Sequence, residues 1–282
     1  MLFEIEHITT YKYSKSVFFE PLTVRLRPLC NSFQKVHDFN MEIEPEPAGM
    51  SHIIDFYGNE AVTVWFNGVH SFLNIRTKSK VETNLENPYN FIITNPFAST
   101  LPIDEDMYDL EIVKPYLKNM HESTELEGIV KKIIEQENGN TFGFINSLCT
   151  YIYDNFTQIS RTTGDPYHPD TTIKESKGAC RDLTVLMIEG MRTVNLPARF
   201  VSGYSYGTVE GSEEDLHSWV EVYLPGAGWK GYDPNLGLAV DNTYIKIASG
   251  ITHAEASPVS GNFRGTGAEA ELKYEVKIEK ID

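Results

Sequence analysis

The sequence is short of positive charge, of cysteine and of long apolar runs. Lysine and arginine number 24 against 40 aspartate and glutamate, for a formal net charge of −16 and a pI near 4.9. Nucleic acid and anionic membrane surfaces are held by clustered basic side chains, so neither is expected as a main partner. The three cysteines, Cys30, Cys149 and Cys180, are an odd number with no C-x-x-C spacing. That excludes a disulfide framework and fits a reducing compartment. No apolar run is long enough to span a bilayer, and the apolar start at Met1, Leu2 and Phe3 is broken by Glu4. Neither a signal peptide nor a membrane span is therefore expected, and the chain is placed in the cytoplasm. Internal repeats and low-complexity segments are also missing.

What is present is apolar material for a substantial interior. With 282 residues, 41% hydrophobic and 12% aromatic, the chain can bury one large core or two ordinary ones. Residues 3–83 read as strands: Phe3, Ile5 and His7 alternate with Glu4 and Glu6, Val24 and Leu26 with Arg25 and Arg27, and Phe39, Met41 and Ile43 with Asn40 and Glu42. Residues 53–66 read as two strands joined at Gly58 and Asn59, which tolerate the positive φ angles of a tight hairpin. An antiparallel β-sandwich is expected over residues 1–105, with a second unit over 106–282.

The pattern turns helical further on. Leu126, Ile129, Val130, Ile133 and Ile134 form one stripe, with Ser123 or Thr124 as cap, a capping box from Thr124 to Glu127, and Gly139 as stop. Residues 142–156 form a second helix with Cys149 on or beside its apolar face. Cys149 and Cys30 both read as small buried hydrophobes. Residues 157–177 are too rich in turn formers for regular structure, and a loop of that length is usually functional. Strands follow at 199–206, 218–224 and 228–233, with an acidic hairpin tip at 210–215 between the first two. Leu272, Tyr274, Val276 and Ile278 form a last half-buried strand.

The chemistry centres on Cys180. Leu183, Leu186, Met187, Met191 and Val194 place it on the first turn of an amphipathic helix, where unpaired N–H groups and the helix dipole favour thiolate. His217 opens one strand and Asp233 closes the next, and the short connection at 225–228 makes the two strands an antiparallel hairpin with those residues side by side. Asp233 can then hold one imidazole nitrogen while the other faces the thiol. In that arrangement Cys180 attacks a carbonyl, His217 moves the proton and the Cys180 N–H serves as an oxyanion donor. Tyr167 and His168 in the preceding loop are candidates for a second donor, and Trp219 is a pocket candidate. A zinc site made of Cys180, His217 and Asp233 would lack the usual short ligand pairs, so no metal or cofactor is expected.

Gly178-Ala179-Cys180-Arg181-Asp182, Leu196-Pro197-Ala198-Arg199-Phe200-Val201-Ser202-Gly203-Tyr204, His217-Ser218-Trp219-Val220-Glu221-Val222-Tyr223 and Gly228-Trp229-Lys230-Gly231-Tyr232-Asp233-Pro234 together resemble the core of the transglutaminase-like superfamily. The first hundred residues, with Tyr57-Gly58-Asn59 between strands, resemble the β-rich region ahead of that core in bacterial two-domain members. The resemblance implies an α+β fold, with the N-terminal sandwich followed by a papain-like core whose cysteine helix packs on an antiparallel sheet. It maps Cys180, His217 and Asp233 onto the family's catalytic triad. Arg181 stands where many relatives have Gln, and Ile251-Thr252-His253 where many bacterial relatives have Arg-Asp-Tyr.

The resemblance implies acyl transfer through a thioester, with a peptide or protein as substrate. Water resolves such an intermediate to a hydrolysed peptide or amide, and an amine resolves it to a crosslink. Hydrolysis is the expected outcome, glutamine-to-lysine crosslinking is the alternative, and a binding protein with a vestigial site is the reading from a different class.

Overall fold

Alternating burial in the first eighty residues builds two facing sheets. The computed structural model describes residues 1–108, 110–207 and 216–281. Strands β1 (Leu2–Phe19), β2 (Leu22–Val24), β3 (Gln34–Glu44), β4 (Gly49–Ile54), β5 (Glu60–Trp65) and β6 (His70–Thr83) make up the sandwich. Phe3, Ile5 and His7 point inward on β1 while Glu4 is exposed, as a strand packed on one face requires. The β4–β5 turn is organised by Asp55, whose carboxylate accepts from the backbone of Tyr57 and Asn59 and from the Asn59 side chain. Gly58 supplies the positive φ of +79° there, and β4 stops at Ile54 rather than running on to Tyr57.

The helices follow, and then the second sheet. They are α1 (Leu110–Leu117), α2 (Thr124–Gln136) and α3 (Thr141–Asn155). Ser123, not Thr124, caps α2, its hydroxyl accepting from the Leu126 N–H. The turn-rich stretch that follows is more regular than its composition suggests. It contains β7 (Thr157–Gln158) and α4 (Pro169–Glu175), ahead of β8 (Lys177–Gly178), which pairs in parallel with β7. Pro169 is the first residue of α4, where its missing N–H costs nothing and its fixed φ suits a helix start. Next come α5 (Cys180–Arg192), β9 (Ala198–Ser205), β10 (Leu216–Leu224), β11 (Gly228–Asp233), β12 (Leu238–Ala239) and β13 (Tyr244–Gly250). The second sheet has the order β12-β11-β10-β9-β13 with α5 packed on one face, an antiparallel α+β core. The expected acidic hairpin tip at 210–215 lies outside the described residues.

The expected division at residue 105 needs a correction in space. The chain ends with β14 (Val259–Ser260), β15 (Phe263–Arg264) and β16 (Ala270–Lys280), and all three return to the sandwich. β14 pairs with β2, while β15 and β16 pair with β1, β16 along eleven residues from Phe3↔Lys280 to Tyr13↔Ala270. A single buried hydrophobic cluster then runs from Phe3 through Leu148 and Leu186 to Ile278. Side-chain amides close the free edge of β13: Gln34 exchanges hydrogen bonds with the Lys246 N–H and C=O, and Asn59 does the same with Ser249. Two sandwich side chains thus do what a neighbouring strand would do. His7 adds a further tie, its Nδ1 2.8 Å from the Tyr204 hydroxyl and its Nε2 2.8 Å from Thr9 Oγ1. Burial holds its pKa down to about 4, so the imidazole is neutral at physiological pH.

Candidate active site

The start of α5 is built by close approach. A Cβ on Gly178 would lie 2.8 Å from that of Asp182, so only glycine lets the incoming chain pass the helix. Ala179 offers no side-chain cap. Instead, Asp182 reaches back to the Ala179 N–H at 2.7 Å and also accepts from the Tyr167 N–H at 2.8 Å and the Arg161 guanidinium at 2.5 Å. Arg181 donates to the carbonyls of Arg161 and Thr163, which fixes the preceding loop across the helix start. Cys180 is the first helical residue and half-buried, so its backbone N–H lies where the helix dipole is most positive.

The strand hairpin brings the other two groups. β10 and β11 pair with Val220 opposite Tyr232, so His217 and Asp233 emerge from the same face just past the last bridge. His217 Nε2 lies 2.6 Å from Asp233 Oδ2. Its side chain also hydrogen-bonds to that of Cys180, and with Nε2 occupied the nitrogen that does so is Nδ1. On the other face of β10, Ser218 Oγ lies 3.0 Å from Thr184 Oγ1, which in turn donates to the Cys180 carbonyl. Helix and strand are thereby locked in the register that puts sulfur beside imidazole.

The electrostatics follow from burial against partnership. Burial alone would push the His217 pKa down, but the charge and hydrogen bond of Asp233, followed by the contact with Cys180, outweigh it and raise it to about 10. Burial pushes the fully buried Asp233 up, and the His217 charge and the hydrogen bonds from His217 and Asn235 bring it below the usual carboxylate range. The imidazole is therefore cationic at neutral pH and sits between a carboxylate and a sulfur, an arrangement able to hold a thiolate and to deliver a proton.

Other expected site residues take different places. Tyr167 spends its backbone N–H on Asp182 and packs its ring under the Arg161 guanidinium, 4.1 Å from the centroid. His168 caps α4, accepting from the Asp170 N–H, with its ring edge against His121. The Tyr167 backbone N–H and the His168 ring thus hold the loop and the start of α4. Trp219 is buried beneath the triad, edge-on to Tyr244 at 5.3 Å and over Gly203, where a Cβ would come within 2.5 Å of the indole. Cys149 is buried as expected, with its thiol donating to the Asp233 carbonyl, but Cys30 is exposed.

Two further residues complete the site, and only the second left a signal in the sequence. Tyr244 donates its hydroxyl to Asp233 Oδ2 at 2.9 Å from the first position of β13. Asn235 donates both its backbone and side-chain N–H to Asp233 Oδ1, each at 2.9 Å. The Asp-Pro-Asn run could have suggested the second contact, since a carboxylate commonly accepts from the N–H two residues on. Among the described residues, no group of three or more His, Cys, Asp or Glu side chains is arranged to hold a metal ion.

Comparison with known proteins gives two consecutive family matches. Residues 3–82 match the "Bacterial transglutaminase-like N-terminal region" and residues 127–234 the "Transglutaminase-like superfamily". An uncharacterized protein of Mycobacterium leprae is 25% identical over 98% of both chains. One of Mycobacterium tuberculosis is 23% identical over 92% of this chain and 86% of its own. Among solved structures, "a Putative Cysteine Protease" from Cytophaga hutchinsonii superposes with a TM-score of 0.72 at 23% identity, covering 100% of this chain and 92% of that one. At that identity the likeness speaks to the fold.

Proposed function

The chain belongs to the transglutaminase-like superfamily, and we propose that it is a thiol-dependent acyl-transfer enzyme that hydrolyses a peptide or amide bond. Cys180 is the nucleophile, His217 the proton carrier and Asp233 the group that fixes the imidazole. The observation that carries this reading is the single Asp233 oxygen that holds Nε2 at 2.6 Å and so turns Nδ1 toward Cys180.

The steps balance with these groups alone. Cys180 sulfur bonds to the substrate carbonyl carbon, and the charge that develops on oxygen meets the N–H at the start of α5. The proton from the thiol, held on His217, passes to the leaving amine as the C–N bond breaks. Water then gives a proton to His217 and its oxygen to the acyl carbon, which releases a carboxylic acid and restores the thiol. A peptide or protein is the acyl donor in this reading. A cytoplasmic place of action is part of the same proposal, on the grounds of the odd number of cysteines without C-x-x-C spacing. The description carried by the Cytophaga hutchinsonii protein accords with hydrolysis.

The test is incubation with a glutamine-containing peptide and a labelled primary amine, alongside Cys180→Ala. Release of free acid in excess of amine incorporation, lost in the variant, is expected. Amine incorporation in excess of hydrolysis would replace hydrolysis with crosslinking, and full activity in Cys180→Ala would remove the covalent mechanism.

A further inference from the structure

Among the described residues, every sheet edge but one carries a device against pairing with another chain. β7, β8, β12, β14 and β15 are only two residues long. β16 alternates Glu271, Lys273, Glu275, Lys277 and Glu279 along its length. The register of β3 shifts between Val36 and Asp38, and the side chains of Gln34 and Asn59 occupy the edge of β13. Short strands, edge charges, bulges and covering groups are how natural sheets avoid edge-to-edge association. β4 has none of them. Its six residues, Gly-Met-Ser-His-Ile-Ile, include no Lys, Arg, Asp, Glu or Pro, pair with β5 in an unbroken register and have no described strand on their other side.

The side chains at this edge are apolar and uncovered. Met50, His52 and Ile54 lie opposite Val64, Val62 and Glu60, on the face whose Val62 and Val64 are buried in the sandwich. Yet Met50 is 51% and Ile54 76% exposed, and Phe56, just past the strand, is fully exposed. Between the two sheets lies a cavity of about 380 Å³, with Val24, Leu26 and Val62 on one side and Phe39 and Met41 of β3 on the other. The same sheet face is thus core on β5 and solvent-exposed on β4, and apolar area left in water costs about 25 cal/mol per Å².

We propose that β4 is a homodimer interface, at which the β4 edges of two copies pair antiparallel about a two-fold axis and join their four-stranded sheets into one. Such an axis closes the assembly at two and requires a patch that is complementary to itself. An uncharged strand meeting an uncharged strand satisfies that. Charges stand only at its ends: Glu44 and Glu46 precede the Gly49 end, while Arg25 with Asp55 and Arg27 with Glu60 form ion pairs of 3.1 Å and 2.6 Å at the Ile54 end. Antiparallel pairing brings the first end of one copy to the second end of the other. The acids therefore do not face their own copies, although the chain carries a net charge of −16. Phe56 alone offers about 150–250 Å², roughly a fifth to a third of the approximately 800 Å² that each partner buries in a stable interface. The pairing does not depend on the reaction at Cys180.

Sedimentation of the full chain at about 100 µM, well above the micromolar limit for an interface of that size, should give the mass of two chains. Ile54→Lys places a cation on each strand and, because symmetry repeats the change, should weaken the dimer about a hundredfold or more. Ile112→Lys, at a 68% exposed position on α1, should leave the mass unchanged. Amide hydrogen exchange over residues 49–54 should slow with rising concentration in the native chain and not in Ile54→Lys. Met50→Lys, on the same face of β4, is the deciding variant if Ile54→Lys does not fold. A native chain that stays monomeric, which would leave β4 to a strand of another protein, overturns the proposal. So does a folded Ile54→Lys or Met50→Lys that remains fully dimeric, or a dimer in which exchange over 49–54 does not change with concentration.

Discussion

Tyr244 and His217 meet on one atom: the Tyr244 hydroxyl donates at 2.9 Å to the same Asp233 oxygen that receives His217 Nε2 at 2.6 Å. The carboxylate that orients the imidazole is thus itself oriented, by a side chain from a different strand. Hydrogen bonds to charged groups contribute about 1.5–3 kcal/mol net. Tyr244→Phe keeps the ring against Trp219 and removes that bond, so urea unfolding should show a loss of about that size. Turnover should fall less than in Asp233→Asn, because His217 keeps its carboxylate.

The raised pKa of His217 sets a pH window. A histidine held above its ordinary value of 6.5 up to about 10 contributes stability that is fully present below pH 6.5 and is lost as pH rises to about 10. Asp233, held below its ordinary value, contributes stability present above that value and lost as pH falls through its folded pKa. Unfolding free energies of the native chain and His217→Gln should therefore differ most near pH 6 and converge toward pH 10. A gap constant across that window would show that the pair is not charged as described.

Asp182 is fully buried and joins Ala179, Tyr167 and Arg161 at the start of α5. Removing one partner of a buried ion pair costs roughly 3–5 kcal/mol. Asp182→Ala should lose stability of that order and release the loop held by Arg161. Trypsin digestion under native conditions should then cut after Arg161 faster than in the unaltered chain.

Asn59 ties the sandwich to the core sheet by two bonds of 2.8 Å to the Ser249 backbone. Asn59→Ala leaves a buried N–H and C=O on β13 without partners, at about 1–3 kcal/mol each. A chemical unfolding curve should shift accordingly. Hydrogen exchange at Ser249 should rise more than at Phe200, which lies inside the sheet.

Much of the site was legible because its signals are local. The apolar stripe of α5 fixes the helix that begins at Cys180, and the short connection between β10 and β11 fixes the meeting of His217 and Asp233. Tyr244 was not legible, since its partner lies eleven positions back and the pairing of β13 with β9 is set by packing, not by any nearby residue. The same reason hid the return of β16 to β1: its alternation announces a strand but not which strand it joins. Residues 157–177 look irregular from their turn formers although Pro169 opens α4, because proline stops a helix from within but suits its first turn. Cys30 follows the exposed end of a connection rather than a core pattern, so residue type alone misplaced it.

The most direct test of the central claim is the rate of iodoacetamide labelling at each cysteine of the native chain at pH 7, read by peptide mass spectrometry. Burial pushes the Cys149 thiol up and shields it, so it should label only on unfolding, while Cys30 gives the rate of an ordinary exposed thiol. The account predicts Cys180 at least about tenfold faster than Cys30, falling to the Cys30 rate or below in His217→Gln. Labelling of Cys180 no faster than Cys30, or unchanged in His217→Gln, would contradict a thiolate held by His217.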